Sequence, residues 1–388
     1  MQEIIAAVDD HEREALALLE QLVNVDSGTY DKAGVDHVGA ILAERVATLG
    51  FSVETIAQNI VGNHLVCRKP GRSDRRILFI GHMDTVFPAG TVAKRPFRIE
   101  GSRAFGPGVV DMKGGIVCLL TALTALKQTR SPAWDAMDMT IVFNSDEEVL
   151  STTSHPIIAR EAQRARTVCV FEPARPGGEY VIQRKGVGKY VLTVHGRAAH
   201  AGAQPERGRS AIVELAHKIV ALHAMNDPST GVTVNVGVIR GGERSNVIAE
   251  QAQAEIDLRV PDNATLVHVA ARFQEIAATN TIPDTTAELS GGVTFPPMVQ
   301  TPAARTLFAA LQEAGRTLGL ELRGIPTGGG SDGNHASQFA PTLDGMGPQG
   351  SEAHSDREFM EVPTLAERAK VTALFLARWP EIISTINF

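Results

Sequence analysis

At 388 residues and 43% hydrophobic content, the chain holds material for two domains. A net charge of −7, a pI near 6.0 and the lack of any Lys or Arg block give no electrostatic reason to expect nucleic acid or a membrane surface as partner, and favour small-molecule chemistry. Cys67, Cys118 and Cys169 lie far apart in apolar patterns without a CxxC, which reads as buried, reduced thiols of a cytoplasmic protein.

The N-terminal MQEIIAAVDDHEREALALLEQLV carries acids throughout, so it reads as an amphipathic helix and as neither a signal peptide nor a span. Apolar 3.6 spacing predicts helices over 3–25 and 34–49, joined by the polar turn Asp26-Ser27-Gly28 and packed on the outside of a sheet. Strands are expected at 51–57 and 63–68, and the run Ile77-Leu78-Phe79-Ile80 before Gly81 reads as a buried strand. A helix over 112–128 follows the Gly106-Pro107-Gly108 turn and crosses over to a strand ending at Asn144, just before Asp146-Glu147-Glu148. A helical segment at 156–164 leads to the strand 167–171, capped by Glu172.

From about 187 the order becomes strand, helix 209–224, two strands, helix 264–279, strand, which is the split βαβ arrangement and closes as its own small domain. After Pro296-Pro297 the first pattern returns, with helix 302–318, the Gly-rich TGGGSDGNH, a short strand PTLDGM and a last helix 363–386. The expected organisation is an α/β catalytic domain of 1–186 and 297–388, with an inserted α+β lid at 187–296.

His82, Asp84, Asp111, Glu147, Glu148, Glu172 and His354 are all reached from loops after apolar runs, at the carboxyl edge where open α/β sheets bind ligands. Carboxylates with imidazole and no thiolate suit Zn²⁺, Mn²⁺ or Co²⁺, and two metals roughly 3.5–4 Å apart would need a bridging carboxylate and about two further ligands each. The side chains of adjacent Glu147 and Glu148 diverge, so one can coordinate while the other serves as general base. Each residue alone has a plainer reading as a cap or a solvated turn residue; their joint placement is what points to a site. TGGGSDGNH lacks the Lys that follows the last glycine of a P-loop, so nucleotide binding is disfavoured.

GHMDTV, GPGVVDMKGG, NSDEE, FEP, GRAAHAG and EAHSDREF, in that order, resemble the zinc metallopeptidase family of glutamate carboxypeptidases, aminoacylases, peptidases T and succinyl-diaminopimelate desuccinylases. GHMDTVFPAGTVAKRPFRIEG, FEPARPG, HAGAQPERG and TGGGSD resemble the glutamate carboxypeptidase branch in detail. The resemblance covers nearly the whole chain and implies a mixed-sheet catalytic domain with helices on both faces plus a ferredoxin-like lid that dimerises. It also implies two Zn²⁺, one held by His82 and Glu172, the other by Glu148 and His354, with Asp111 bridging. Glu147 would be the general base and Asp84 would orient His82, while His200 would reach a neighbouring subunit's site to stabilise an oxyanion. Asn246 and Arg259 would contact the substrate carboxylate, and Gly328, Gly329 and Gly330 would let the backbone approach the substrate. Ser331 and Asp332 would start the next helix.

Without the resemblance, Arg259 in EIDLRVPD reads as an edge-strand residue paired to Asp257, and His200 as a polar turn residue beside Gly202. Two stretches depart from the family. Val149-Leu150-Ser151-Thr152-Thr153 replaces a small Gly-Ser element, and Glu179-Tyr180-Val181-Ile182 stands where glutamate-releasing relatives have a Lys and a Ser. Arg184 and Lys185 either serve an acidic side chain instead or are exposed residues at the domain hinge. The expected activity is cleavage of an amide or peptide bond that frees a C-terminal amino acid, Glu or Asp, from an N-acyl or peptidyl group. The rivals are a broader N-acyl-amino-acid amidohydrolase and a binding protein of the same fold without chemistry.

Overall fold

The run before Gly81 forms the strand Arg76–His82, and its side chains alternate between two cores. Ile77 and Phe79 pack on one face, while Leu78 and Ile80 pack on the other. Both faces being covered, the strand is apolar without interruption. The computed structural model describes residues 1–73 and 75–386, and their contacts divide into two units, 1–183 with 300–326 and 331–388, and 184–299 with 327–330.

The first unit is built on a six-stranded mixed sheet ordered Ser52–Ile56, His64–Lys69, Asp138–Asn144, Arg76–His82, Ala165–Val170, Thr342–Leu343. The last four strands run parallel, so their carboxyl ends share one edge. Helices Gly114–Gln128 and Val362–Thr385 lie on one face. Helices His155–Ala162 and Asp332–Ala336 lie on the other. Val109–Gln128 is the one stretch among the described residues long and apolar enough to cross a membrane, and 89% of its apolar window is buried inside the fold, as befits a core helix.

The second unit, 184–299 with 327–330, is slightly wider than the expected 187–296 and takes in the Gly-rich stretch at 327–330. Two helices depart most from the sequence expectation. The helix predicted over 3–25 is two, Gln2–Asp10 and Glu12–Val23, because His11 leaves helical geometry where Asp9 and Asp10 put negative charge at a helix C-terminus. The helix predicted from 112 starts at Gly114, after an irregular turn Val109–Lys113 in which Asp111 and Met112 leave helical φ/ψ.

The second unit is a four-stranded antiparallel sheet ordered Thr233–Gly241, Gln251–Val260, Gly186–His195, Thr286–Phe295. Helices Ala211–His223 and Asn263–Ala278 bury one face of it, through residues such as Leu215, Phe273 and Ile256. Buried Lys218 donates to the carbonyls of Ile276, Ala277 and Thr279, satisfying the end of the second helix.

Candidate metal centre

The carboxyl ends of the parallel strands deliver the donors. His82 ends its strand, Glu147 and Glu148 sit in the turn Glu147–Val149 after Asp138–Asn144, and Glu172 follows Ala165–Val170 by two residues. Asp111 comes from the irregular turn before helix Gly114–Gln128, and His354 from the loop after Gly350–Ser351, with φ 63°.

The structure brings six of the predicted residues together. Asp111 Oδ1 lies 3.2 Å from His82 Nε2, and Asp111 Oδ2 lies 3.1 Å from His354 Nε2. Glu172 Oε1 is 3.8 Å from His82 Nε2, and Glu148 Oε2 is 3.2 Å from His354 Nε2. The donor atoms of His82, Asp111 and Glu148 lie within 4.8 Å of one another, as do those of His82, Glu147 and Glu172. Donors at the usual zinc bond length of about 2.0–2.1 Å in a tetrahedron stand ~3.3 Å apart, so these spacings fit divalent ions.

Electrostatics asks for cations as well. Asp84, Asp111, Glu147, Glu148 and Glu172 cluster around the two imidazoles of His82 and His354. Burial, reinforced by Glu172, drives the Glu147 carboxyl well above its ordinary range, and burial also raises Glu148. Asp111 moves the other way: burial opposes its charge, but hydrogen bonds from His354 and His82 outweigh that and lower it. Burial likewise opposes a charged His82, yet Asp111 and Asp84 raise it well above its ordinary value. The carboxylates that raise both imidazoles would equally favour a metal pair in place of those protons.

Asp84 is fully buried. Its backbone carbonyl is the nearer acceptor for His82 Nδ1, at 2.9 Å, while its carboxylate stands at 3.5 Å. That carboxylate accepts from the amides of Glu147 and Glu148, both at 3.2 Å, and from the Thr29 hydroxyl at 2.7 Å. Asp84 therefore fixes the acid-pair turn as well as the imidazole. The turn continues through Leu150 and Ser151, both at positive φ, and the Ser151 hydroxyl donates to buried Asp332.

Glu358 was not anticipated, although it lies within EAHSDREF. Its buried carboxylate accepts from the amides of Gly108, Val110 and Asp111, holding the turn that presents Asp111. Thr29, just after the Asp26-Ser27-Gly28 turn, was not anticipated either. Neither residue has a periodic signal, since each acts on backbone or side chain far away in sequence.

His200, Asn246, Arg259 and Gly329 all belong to the second unit. His200 Nδ1 accepts from the amides of Gly202 and Ala203, so its neutral ring carries the proton on Nε2. The Ala201 amide bonds the Asn246 carbonyl, setting His200 and Asn246 on neighbouring segments. Arg259 forks onto Asp257 at 2.8 and 3.1 Å, and its Nη1 donates to Gly328. Its strand is an inner one rather than an edge. Arg184 is buried and donates to the carbonyls of Gly329 and Gly330, while Lys185 donates to Gly231, so neither is an exposed hinge residue. Tyr180 and Val181 are core residues.

The fold is shared with the aminopeptidase PepT of Bacillus cereus (TM-score 0.79, 22% identity, 96% of this chain and 99% of that one). It is shared too with an M20 family metallo-carboxypeptidase of Sulfolobus solfataricus (TM-score 0.74, 18% identity, 95% and 99%). In sequence, the chain is 32% identical to carboxypeptidase G2 of Pseudomonas sp. (strain RS-16) over 95% of this chain and 90% of that protein. It is 29% identical to succinyl-diaminopimelate desuccinylase of Granulibacter bethesdensis over 91% and 94%. The profile of peptidase family M20/M25/M40 matches residues 78–378, most of the chain including every strand-end donor, and with the relatives it shows that this protein is a hydrolase of the peptidase family M20/M25/M40.

Proposed function

We propose that the chain is a dinuclear metal amidohydrolase that frees a C-terminal amino acid, glutamate or aspartate, from an N-acyl or peptidyl group. The observation that carries this reading is Asp111, one carboxylate whose two oxygens face two different imidazoles. His82 and Glu172 would hold one ion, Glu148 and His354 the other, and Asp111 both. The donors suit Zn²⁺, with Mn²⁺ and Co²⁺ accepted by the same set. When bound, the pair supplies Lewis acidity, lowering the pKa of a shared water and polarising the scissile carbonyl.

Glu147 is left out of the two ligand sets and takes the proton of the attacking water, then delivers it to the leaving amine nitrogen. Its burial, which raises the carboxyl above its ordinary range, supports this, since a general base that returns its proton must also be able to hold it. Asp84 holds the Glu147 amide and so fixes the base. In the lid, His200 presents an Nε2 proton to the developing oxyanion of the partner subunit's site, which makes the working form a homodimer. Asn246 and Arg259 bind the substrate carboxylate, and the open space beside Gly328 and Gly329 suits close approach of the substrate to that backbone. The buried, unpaired Cys67, Cys118 and Cys169 suit a reducing compartment such as the cytoplasm.

A second reading, a broader N-acyl-amino-acid amidohydrolase, is favoured by the surroundings of Tyr180. Tyr180 and Val181 face the core, and buried Arg184 donates to the carbonyls of Gly329 and Gly330, which supports a substrate side-chain pocket without a dedicated cation in 179–182. Kinetics on acyl-Glu, acyl-Asp and acyl-Leu substrates decides between the two, and a clear preference for Leu sinks the glutamate version. For the chemistry, Glu147→Gln is expected to keep two bound ions by elemental analysis while turnover falls about 10²–10⁴-fold. Near-normal turnover in that variant would overturn the role of Glu147.

A further inference from the structure

Arg368 and Thr372 stand four residues apart on the helix Val362–Thr385, so they share a face, and that face is turned into the core of the first unit. Both are 1% exposed, as is Tyr180, and Cys118 of helix Gly114–Gln128 is fully buried. The Arg368 guanidinium carbon lies 4.0 Å from the centre of the Tyr180 ring, and the Cys118 thiol stands against the Thr372 hydroxyl within the field of Arg368. Phe308 closes edge-on against the Tyr180 ring, with 6.1 Å between ring centres. Two helices and the strand Tyr180–Arg184 thus bring four polar side chains to one place inside an apolar core.

This group is rich in donors and short of anything to donate to. Arg368 Nη2 donates to the Gly178 carbonyl, while Nε and Nη1 have no acceptor among the described residues. The Tyr180 and Thr372 hydroxyls are likewise buried without a well-aligned hydrogen bond. Glu367 acts on Tyr180 from a distance, and among the described residues no carboxylate forms an ion pair with Arg368. Buried Glu161 of the same unit shows the ordinary solution, with Arg68, Arg76 and Arg160 around it.

A guanidinium does not give up its proton inside a protein, so the positive charge stays. The Tyr180 ring face offsets part of the cost of burying it, and water would serve the remaining N–H groups, but neither supplies negative charge. The neighbours do not supply it either. Burial raises the Tyr180 hydroxyl above its ordinary value against the pull of Arg368, and pushes the Cys118 thiol up to about 12, so both are neutral near pH 7.

We propose that Arg368, Tyr180, Thr372 and Cys118 enclose a structural site for one small monovalent anion of the chloride class. The guanidinium supplies the countercharge, and the two hydroxyls and the thiol can all turn a hydrogen inward to a halide. A doubly charged sulfate or phosphate is disfavoured, because a single guanidinium leaves its second charge uncompensated in the interior. The ions proposed for the metal centre are cations too, so filling that centre adds to the pull on an anion instead of cancelling it. The anion would tie the last helix to the strand Tyr180–Arg184 and to helix Gly114–Gln128, which begins just after Asp111.

The test uses the full chain, stripped of chloride by dialysis through mild denaturant into gluconate, loaded with zinc, and then given chloride or bromide at constant ionic strength. Tm should rise with halide along a saturating curve. Crystals transferred to bromide should show an anomalous peak at hydrogen-bond distance from Arg368 Nε and Nη1. Thr372→Val removes one hydroxyl donor at similar volume and should raise the halide concentration at half effect about tenfold. Arg368→Met keeps an apolar stem and should abolish the saturating response. Should that variant fail to fold, the bromide map and Thr372→Val decide. A Tm indifferent to halide, bromide at the metal centre alone, water in place of halide beside Arg368, an unshifted midpoint in Thr372→Val, or a response that survives in Arg368→Met overturns the assignment.

Discussion

Glu358 holds three amides with one buried carboxylate, those of Gly108 and Val110 at 2.9 Å and of Asp111 at 3.1 Å. Removing it leaves buried donors without an acceptor, at about 1–3 kcal/mol each, and frees the turn that aims Asp111 at both imidazoles. Glu358→Ala is therefore expected to weaken zinc binding about 10–100-fold, the usual effect of losing a group that orients a ligand. Glu358→Gln keeps one carbonyl oxygen and should lose less. Competition of the chelated variants against a chromophoric zinc indicator reads the difference, and an Ala variant with parental affinity would remove Glu358 from this role. Arg184 teaches a related lesson at the same scale. In the sequence it reads either as a contact for an acidic side chain or as an exposed hinge residue; burial removes the second reading, and its guanidinium is directed to two glycine carbonyls that only the folded chain brings near.

At the scale of elements, the parallel strands concentrate acid at one sheet edge, and this sets how the metal-free protein responds to pH. Burial lifts Glu358 from 4.5 to about 7 and Asp332 from 3.8 to about 7. Both carboxyls bind protons more readily folded than unfolded, so stability falls as pH rises from about 4 through 7. His354, raised to about 10 by Asp111 and Glu148, contributes stability that is complete below 6.5 and is lost as pH climbs toward 10. Asp111 is lowered, and its contribution is already complete above its ordinary 3.8. Burial works the other way on His335, lowered to about 4, and on Lys113, lowered to about 8, which add stability as pH rises below 6.5 and above 8. In chelator, Tm should therefore decline most clearly from pH 6.5 to 8, while added Zn²⁺ should raise Tm most at the alkaline end, where its ligands are deprotonated. A chelated Tm that climbs over that range would contradict the charge balance described. The strands that build this edge were legible in the sequence because burial on both faces leaves an unbroken apolar run, as in Ile77-Leu78-Phe79-Ile80. The short strands Arg98–Glu100, Arg103–Phe105, Gly350–Ser351 and Phe359–Glu361 were not, since two or three residues carry no period and only their pairing defines them. His354 was found through its motif, while the loop geometry that points it at Asp111 was visible only in the fold.

For the whole molecule, the proposed role of His200 ties activity to assembly. A lone subunit with His200 serving a partner's site would bind metal and lack its oxyanion donor, so catalysis would require two copies. His200→Ala and Glu147→Gln should each be nearly inactive as homodimers, for opposite reasons. In a mixed dimer, the subunit with intact Glu147 receives the intact His200 of its neighbour and one site is whole. Random exchange makes about half the dimers mixed, each with one working site of two, so mixing the inactive variants should restore about a quarter of parental activity. Brief dissociation in mild denaturant followed by joint refolding, with each variant refolded alone as control, gives the measurement. Activity that stays at the level of the separate variants, with mixed dimers present by native mass spectrometry, would place His200 on its own subunit's site or outside catalysis. Full-length exchange is needed because the two inactivating changes lie in different units of the chain, Glu147 in the first and His200 in the second.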